Sequence, residues 1–163
     1  MDRPECPVAI RLATAADVPA LAALYAAAFR AVGPAHYDAV QVEAWAGFAA
    51  ESRFRPFVLD PHTFVAHDTD TTTGFAGLKD DGHVTALYVH PHWMRVGIGS
   101  ALMRAVVGHA ERRGLGRLYT EASEFSRPLF ARFGFTLDEV ETVERRGATF
   151  ERYRMSRALG LNG

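Results

Sequence analysis

Two glycines, Gly97 and Gly99, lie between a segment typical of a β-strand and a segment typical of an α-helix. Residues 83–89 are rich in β-branched and apolar side chains. Downstream, an apolar stripe recurs at helical spacing: Ile98, Leu102, Val106 and Ala110. Glycine lets the backbone approach a ligand closely, and the first N–H groups of a helix have no partner inside it. This arrangement predicts a site for a phosphate or pyrophosphate group.

Two better-known phosphate motifs do not fit this segment. The dinucleotide-binding pattern G-x-G-x-x-G needs a third glycine where this chain has Leu102. The P-loop needs a lysine, and the only lysine of the chain is Lys79. The alternative to a binding loop is a helix that simply begins with two flexible residues.

Glu121 and His83 are candidates for removing a proton from a substrate. Glu121 falls in the mostly apolar segment 118–122, where a carboxylate is costly unless it is paired or faces a cleft. Its alternative role is a structural ion pair with a nearby arginine. Histidine is the side chain that ordinarily changes charge near neutral pH, which makes His83 a candidate. Because His83 follows the turn at residues 80–82, an exposed histidine without a function is the alternative.

The elements that position these residues alternate along the chain. Periodicity and turn residues predict strands at residues 8–12, 63–66, 74–78, 83–89, 118–122, 136–143 and 148–155. They predict helices at about residues 17–29, 40–48 and 98–113. Thr14 and Asp17 form a capping-box pattern at the start of the first helix, and residues 49–61 stay ambiguous. This order implies one α/β domain, a sheet with helices on both faces.

Composition narrows the classes of partner. The chain has 163 residues and a formal net charge of −1, so charge gives no case for a nucleic-acid or membrane partner. We find no apolar run of membrane-spanning length and no signal-peptide pattern at the N-terminus. Cys6 is the single cysteine, which excludes an internal disulfide. We therefore expect a cytoplasmic protein.

A metal site is not expected from the sequence. His90 and His92 lack a third ligand nearby in sequence.

Residues 83–135 resemble the core of the GCN5-related N-acetyltransferase (GNAT) superfamily. That core consists of a strand, a loop written [Q/R]-x-x-G-x-[G/A], a long helix, a second strand and a short helix ending in Gly-Phe. The matching pieces are Leu87–Val89, Met94–Gly99, residues 98–113, Leu118–Ala122 and Arg132–Phe135. Residues 120–123 and Arg127-Pro128 resemble a YafP-like bacterial subgroup. One departure is Met94, where the family usually has Gln or Arg.

The resemblance implies a fold and a cofactor. The fold would be a GNAT-type mixed, mostly antiparallel central sheet flanked by helices on both faces. It would form a single domain over residues 1–163, with its core at about 8–157.

The cofactor would be acetyl-CoA, without a metal. Its pyrophosphate would lie on the backbone of Arg95, Val96, Gly97, Ile98, Gly99 and Ser100. Its pantetheine would pair with the backbone of Leu87, Tyr88 and Val89. Ser123 replaces a frequent asparagine and would contact the cofactor, or it caps a helix.

The resemblance also assigns catalytic roles. A tyrosine four residues before the Gly of Gly-Phe often protonates the leaving thiolate in the family, and here that position is Phe130. Tyr153 is then the tyrosine that we consider as the acid. Glu121 is the first candidate for the base, because the family opens a cleft beside this strand, and His83 is the second.

We therefore expect an acetyl-CoA-dependent N-acetyltransferase that transfers the acetyl group directly to an amine. We expect this amine to belong to a small molecule. The aromatic residues expected to shape the acceptor pocket, or else to fill the core beneath it, are Trp45, Phe48, Phe54 and Phe57. The alternative is a non-catalytic acyl-CoA-binding regulatory protein, since the usual tyrosine is missing. A homodimer formed through an edge strand is left open.

Overall fold

The computed structural model describes residues 8–160, so Cys6 lies outside the described residues. Seven strands and five α-helices follow one another in an α/β order. The elements are β1 (Ala9–Leu12), α1 (Val18–Val32), α2 (Ala39–Ala46), α3 (Phe54–Leu59), β2 (His62–Asp68), β3 (Thr71–Leu78), β4 (Val84–Val89), α4 (Ile98–Arg112), β5 (Arg117–Ala122), α5 (Arg127–Arg132), β6 (Thr136–Arg145) and β7 (Ala148–Ala158). The expected mixed, mostly antiparallel sheet with flanking helices is confirmed.

The strands form two antiparallel halves, in the orders β1-β2-β3-β4 and β5-β7-β6. The halves meet where β4 and β5 run parallel, at a single bridge between His83 and Tyr119. One side-chain bond, 2.8 Å from Oγ1 of Thr120 to the carbonyl oxygen of Val84, follows this bridge. Between the described residues of β4 and β5 there is no further ladder, so a cleft opens toward their carboxyl ends.

Helices cover both faces of the sheet, as the sequence predicts. The stripe at Ile98, Leu102, Val106 and Ala110 is at most 1% exposed and packs in the main core. On the other face α1 buries Leu21, Leu24, Tyr25 and Phe29. Burial of these two apolar helix faces stabilises the fold, at about 25 cal/mol for each Å² of apolar surface removed from water.

The structure extends the prediction in several places. Residues 54–59, part of the ambiguous stretch, form α3. Strand β6 is longer than predicted because it pairs with β7 up to the turn at Arg146 and Gly147, both at positive φ. Strand β7 is longer at its end, where its last residues pair with β5 as far as Ala158. The carboxylate of Asp17 accepts a 2.7 Å bond from the N–H of Thr14, which confirms the capping pattern.

We expected no apolar segment long enough to span a membrane. Judged by length and composition alone, that expectation is wrong for one described segment. The segment Ala15–Ala35 has 21 residues and a mean hydropathy of 1.3. It is built around α1, whose Leu21 and Phe29 are fully buried against the sheet. A core helix of a globular fold passes the same test, because a helix packed on a sheet needs the same apolar surface.

Candidate active site

The loop before α4 presents backbone N–H groups at its surface. Gly97 is the residue that precedes the helix, in a left-handed conformation with φ 92° and ψ 8°. The N–H of Ala101 makes the first helical bond, 3.0 Å to the carbonyl oxygen of Gly97. The N–H groups of Ile98, Gly99 and Ser100 therefore have no acceptor within the helix.

A cavity of about 530 Å³ adjoins this loop. It runs between the loop, the end of β4 and the start of α5, and it includes Leu87, Tyr88, Val89, Arg95, Gly97, Ile98, Gly99 and Ser100. Val96 is 54% exposed and is not among the lining residues. A Cβ at Gly99 would meet Cδ2 of Leu129 at 2.8 Å, so glycine keeps this wall close-packed. Free N–H groups beside a cavity of this size fit a pyrophosphate-bearing cofactor. We call it the cofactor cavity.

A second cavity of about 630 Å³ lies on the α1 side of the cleft. Its aromatic lining residues are Tyr25, Trp45, Phe48, Phe57 and Tyr88. Both His83 and Glu121 line it as well. Phe54 does not, because it is 2% exposed and packs beneath the cavity against Tyr25 at 5.5 Å between ring centroids. We call it the acceptor cavity.

A small cavity of about 30 Å³ lies between β4 and β5. The residues around it include Thr120, Glu121, Ser123, Ser126 and Phe130. Tyr88 lines all three cavities. The two large cavities therefore share Tyr88 as a lining residue.

His83 and Glu121, two alternatives in the sequence, are hydrogen-bonded to each other. Nε2 of His83 lies 2.6 Å from Oε2 of Glu121, and the side chains are 22% and 23% exposed. The bond to His83 holds the pKa of Glu121 below its usual range, against the opposing effect of burial. Glu121 is therefore ionised at neutral pH and accepts the bond.

Neighbouring residues fix the ring of His83. Tyr119 stacks on it at 4.7 Å between centroids and 6° between planes. Asp81 accepts a 2.6 Å bond from the Tyr119 hydroxyl and a 3.1 Å bond from the N–H of His83. The Asp81 bond raises the pKa of Tyr119 to about 12, so this hydroxyl keeps its proton. Sequence reasoning treated Asp81 as a turn residue and missed this contact.

Tyr153 is engaged away from the cavities. Its hydroxyl donates to Oε2 of Glu124, which raises the pKa of Tyr153, and the Arg127 guanidinium lies 4.0 Å from its ring centroid. Tyr153 is not among the lining residues of any of the three cavities. A role as the acid remains a prediction.

Ser123 is buried, 6% exposed, and lines the small cavity. It pairs with Ser126, which also lines the cofactor cavity and which the sequence reasoning missed. The available signal was position, because Ser126 and Phe130 are four residues apart and share one helical face. In the described part of the chain, no group of three side chains is arranged to hold a metal ion.

Known proteins share this architecture. The chain is 29% identical over 139 residues to the uncharacterized N-acetyltransferase YafP of Escherichia coli (strain K12), covering 85% of this chain and 88% of that one. A GCN5-related N-acetyltransferase from Rhodopseudomonas palustris superposes with a TM-score of 0.89 at 29% identity, covering 93% and 95% of the two chains. The PaiA N-acetyltransferase of Thermoplasma acidophilum, solved with coenzyme A, gives a TM-score of 0.78 at 14% identity, covering 93% and 99%.

The family-level match spans the site. The model of the acetyltransferase (GNAT) domain matches residues 34–157, which include the loop before α4 and both candidate bases. This match covers most of the chain and agrees with the fold. The chain belongs to the GNAT family and is an acetyl-CoA-dependent N-acetyltransferase.

Proposed function

We propose that this enzyme transfers the acetyl group directly to the amine of a small molecule bound in the acceptor cavity, with His83 as the base. The observation that carries the proposal is the His83–Glu121 bond at the wall of that cavity. Tyr88 borders both large cavities, so a bound amine and a bound thioester would meet there.

The cofactor cavity supplies backbone donors for acetyl-CoA. The N–H groups of Ile98, Gly99 and Ser100 would hold the pyrophosphate, at roughly 1.5–3 kcal/mol for each bond to a charged group. The backbone of β4 from Leu87 to Val89 would pair with pantetheine. The thioester, when bound, supplies an acetyl group activated for attack by nitrogen.

The bonded pair supports a route for the proton of the amine. An amine is protonated at neutral pH and must lose a proton before it attacks. Because Glu121 is ionised, it accepts Nε2–H from the ring of His83, and in the neutral form of the imidazole the lone pair is then on Nδ1. Nδ1 then accepts the amine proton, and Glu121 stabilises the imidazolium that forms. A positioned base of this kind contributes roughly 10²–10⁴-fold in rate.

The acceptor cavity suits a compact amine. Its volume of about 630 Å³ lies within the usual range of small-molecule pockets, about 300–1,000 Å³. The rings of Trp45 and Phe48 give the cavity apolar lining. Trp45 stacks on Phe29, and the Arg53 guanidinium lies 5.9 Å from the ring centroid of Phe48. Among the described residues there is no cysteine that would carry a covalent acetyl intermediate, which favours direct transfer.

An acceptor panel tests the proposal. We would incubate the protein with acetyl-CoA and either arylalkylamines such as phenethylamine or short peptides with a free N-terminus, and measure the release of CoA thiol. We expect turnover with arylalkylamines above that with peptides. Turnover with peptides alone would contradict a small-molecule acceptor. Tight binding of acetyl-CoA without turnover of any amine would favour the regulatory alternative.

A further inference from the structure

We propose that the Ser126 hydroxyl donates a hydrogen bond to the sulfur of coenzyme A as the thioester breaks. This inference rests on the proposed function, because it requires the thioester to lie where the cofactor cavity meets the small cavity. Ser126 lines both cavities, whereas its partner Ser123 lines only the small one.

Ser123 and Ser126 bind each other reciprocally. Their Oγ atoms are 2.9 Å apart. Oγ of Ser126 accepts a 2.9 Å bond from the N–H of Ser123, and Oγ of Ser123 accepts a 3.2 Å bond from the N–H of Ser126. The two backbone donors fix both oxygen atoms, so the hydroxyls can differ only in where their hydrogens point.

Counting hydrogens leaves one donor free. Each hydroxyl has a single hydrogen, and only one of the two can lie between the oxygens. When Ser123 donates across the pair, the Ser126 hydrogen is available for a third group. Its other nearby acceptor, the carbonyl oxygen of Ser123, is at 3.5 Å, which is long for an O–H···O bond. The pair therefore presents one O–H at the boundary of the cofactor cavity.

The surrounding side chains leave this position to Ser126. Phe130 lines the same small cavity one helical turn later, and its ring has no polar atom. The cavity of about 30 Å³ has room for a water molecule or a hydroxyl group, since one water needs about 10–15 Å³. Thr85 and Tyr88 are competing donors. The buried hydroxyl of Thr85 has no partner among the described residues, but Thr85 does not line the cofactor cavity. The ring of Tyr88 packs on Tyr25 at 4.7 Å between centroids, on the acceptor side.

The chemical step balances without a further reactant. The protonated amine first gives one proton to Nδ1 of His83, which passes it to water. The neutral nitrogen then bonds to the acetyl carbon, and the second proton leaves the tetrahedral adduct for Nδ1 as the C–S bond breaks. The electron pair of the broken C–S bond stays on sulfur as a thiolate, which accepts the Ser126 hydrogen bond. Ser126 keeps its proton, because a thiol, with a pKa of about 8.5, is a far stronger acid than an alkyl hydroxyl. The thiolate takes its proton from water after release.

Coenzyme A alone, without any amine, tests the inference. We would titrate the thiol of bound CoA by its ultraviolet thiolate absorbance, as a difference from the CoA-free protein, which removes Cys6 and the tyrosines from the signal. We expect the thiol pKa to be higher by about one unit in Ser126→Ala than in wild type, the size of one hydrogen bond to a charge. Ser126→Thr, which keeps a hydroxyl, should restore the wild-type value.

A second variant supplies a replacement hydroxyl donor from the position of Phe130. Phe130→Tyr in the Ser126→Ala background adds a hydroxyl at the small cavity, and we expect it to lower the thiol pKa again. An identical thiol pKa in wild type and Ser126→Ala, with CoA bound to both in calorimetry, overturns this inference alone. A larger effect of Ser123→Ala or Tyr88→Phe than of Ser126→Ala overturns it as well. Failure of the wild-type protein to bind CoA overturns the proposed function too.

Discussion

Nε2 of His83 lies 2.6 Å from Oε2 of Glu121, although 38 residues separate them in the chain. His83 immediately precedes β4, and Glu121 belongs to β5, so the bond spans the junction of the two half-sheets. A carboxylate and an imidazole joined by a hydrogen bond of this length act as one unit. The pair therefore has to be tested as a pair.

A double-mutant cycle tests the unit. We expect His83→Gln to lower kcat roughly 10²–10⁴-fold and Glu121→Gln to lower it less, because the glutamine still accepts the His83 bond. The double variant should be no slower than His83→Gln, since the second change removes a partner already lost. His67→Gln, outside the three cavities, is the control. If Glu121→Gln is the slower single variant, Glu121 is itself the base.

The conformation of Gly97 should control cofactor affinity. Gly97→Val forces a β-branched residue into a left-handed conformation and displaces the N–H groups that follow. We expect CoA to bind at least about tenfold more weakly, which is about 1.4 kcal/mol. Gly114→Val is the matched control, because Gly114 also has positive φ, 71°, and its Cβ would meet nothing within 4 Å. Equal CoA affinity in both variants, measured by calorimetry, would show that the loop before α4 does not bind CoA.

Asp17 should make the fold sensitive to acid. The guanidinium of Arg11 bonds both of its carboxylate oxygens, at 2.7 and 2.8 Å, and holds the pKa of Asp17 well below its usual range. Because the folded pKa lies below the unfolded value of about 3.9, this stability is fully present above that value. It is lost as the pH falls through the folded pKa.

The measurement is the free energy of unfolding in urea against pH. We expect Asp17→Asn to lower the free energy of unfolding by about 1–3 kcal/mol at neutral pH. Below about pH 4 the difference in this free energy between the variant and wild type should become smaller. Asp138→Asn, whose 3.7 Å pair with Arg117 is exposed, is the control and should cost less than about 1 kcal/mol. A deficit for Asp17→Asn that stays constant down to pH 2 would contradict the assignment.

Tyr153 should support structure more than chemistry. Its hydroxyl donates to Glu124, beside the Ser123–Ser126 turn, and Tyr37 accepts from the N–H of the same Glu124. We expect Tyr153→Phe to lower kcat less than tenfold, with a loss similar to that of the control Tyr37→Phe. A loss above a hundredfold confined to Tyr153→Phe, with CoA affinity intact, would show that Tyr153 is the acid.

Local sequence patterns are sufficient to predict the strand–loop–helix core. The strand before the loop, the glycine at 97 and the stripe from Ile98 to Ala110 are each specified within a few residues, by β-propensity, by the need for positive φ and by helical periodicity. The residues that follow the loop could therefore be assigned to a helix with free N–H groups. The GNAT resemblance rests on the same local pattern.

The contacts between side chains far apart in the chain depend on tertiary packing. Glu121 could have paired with an arginine, and His83 could have been an exposed turn residue. Their contact depends on the parallel approach of β4 and β5, which no local preference encodes. The same packing places Ser126 between two cavities and sends the Tyr153 hydroxyl to Glu124. Local physics specifies an element, whereas a site is formed by the way elements pack, through contacts between residues far apart in the chain.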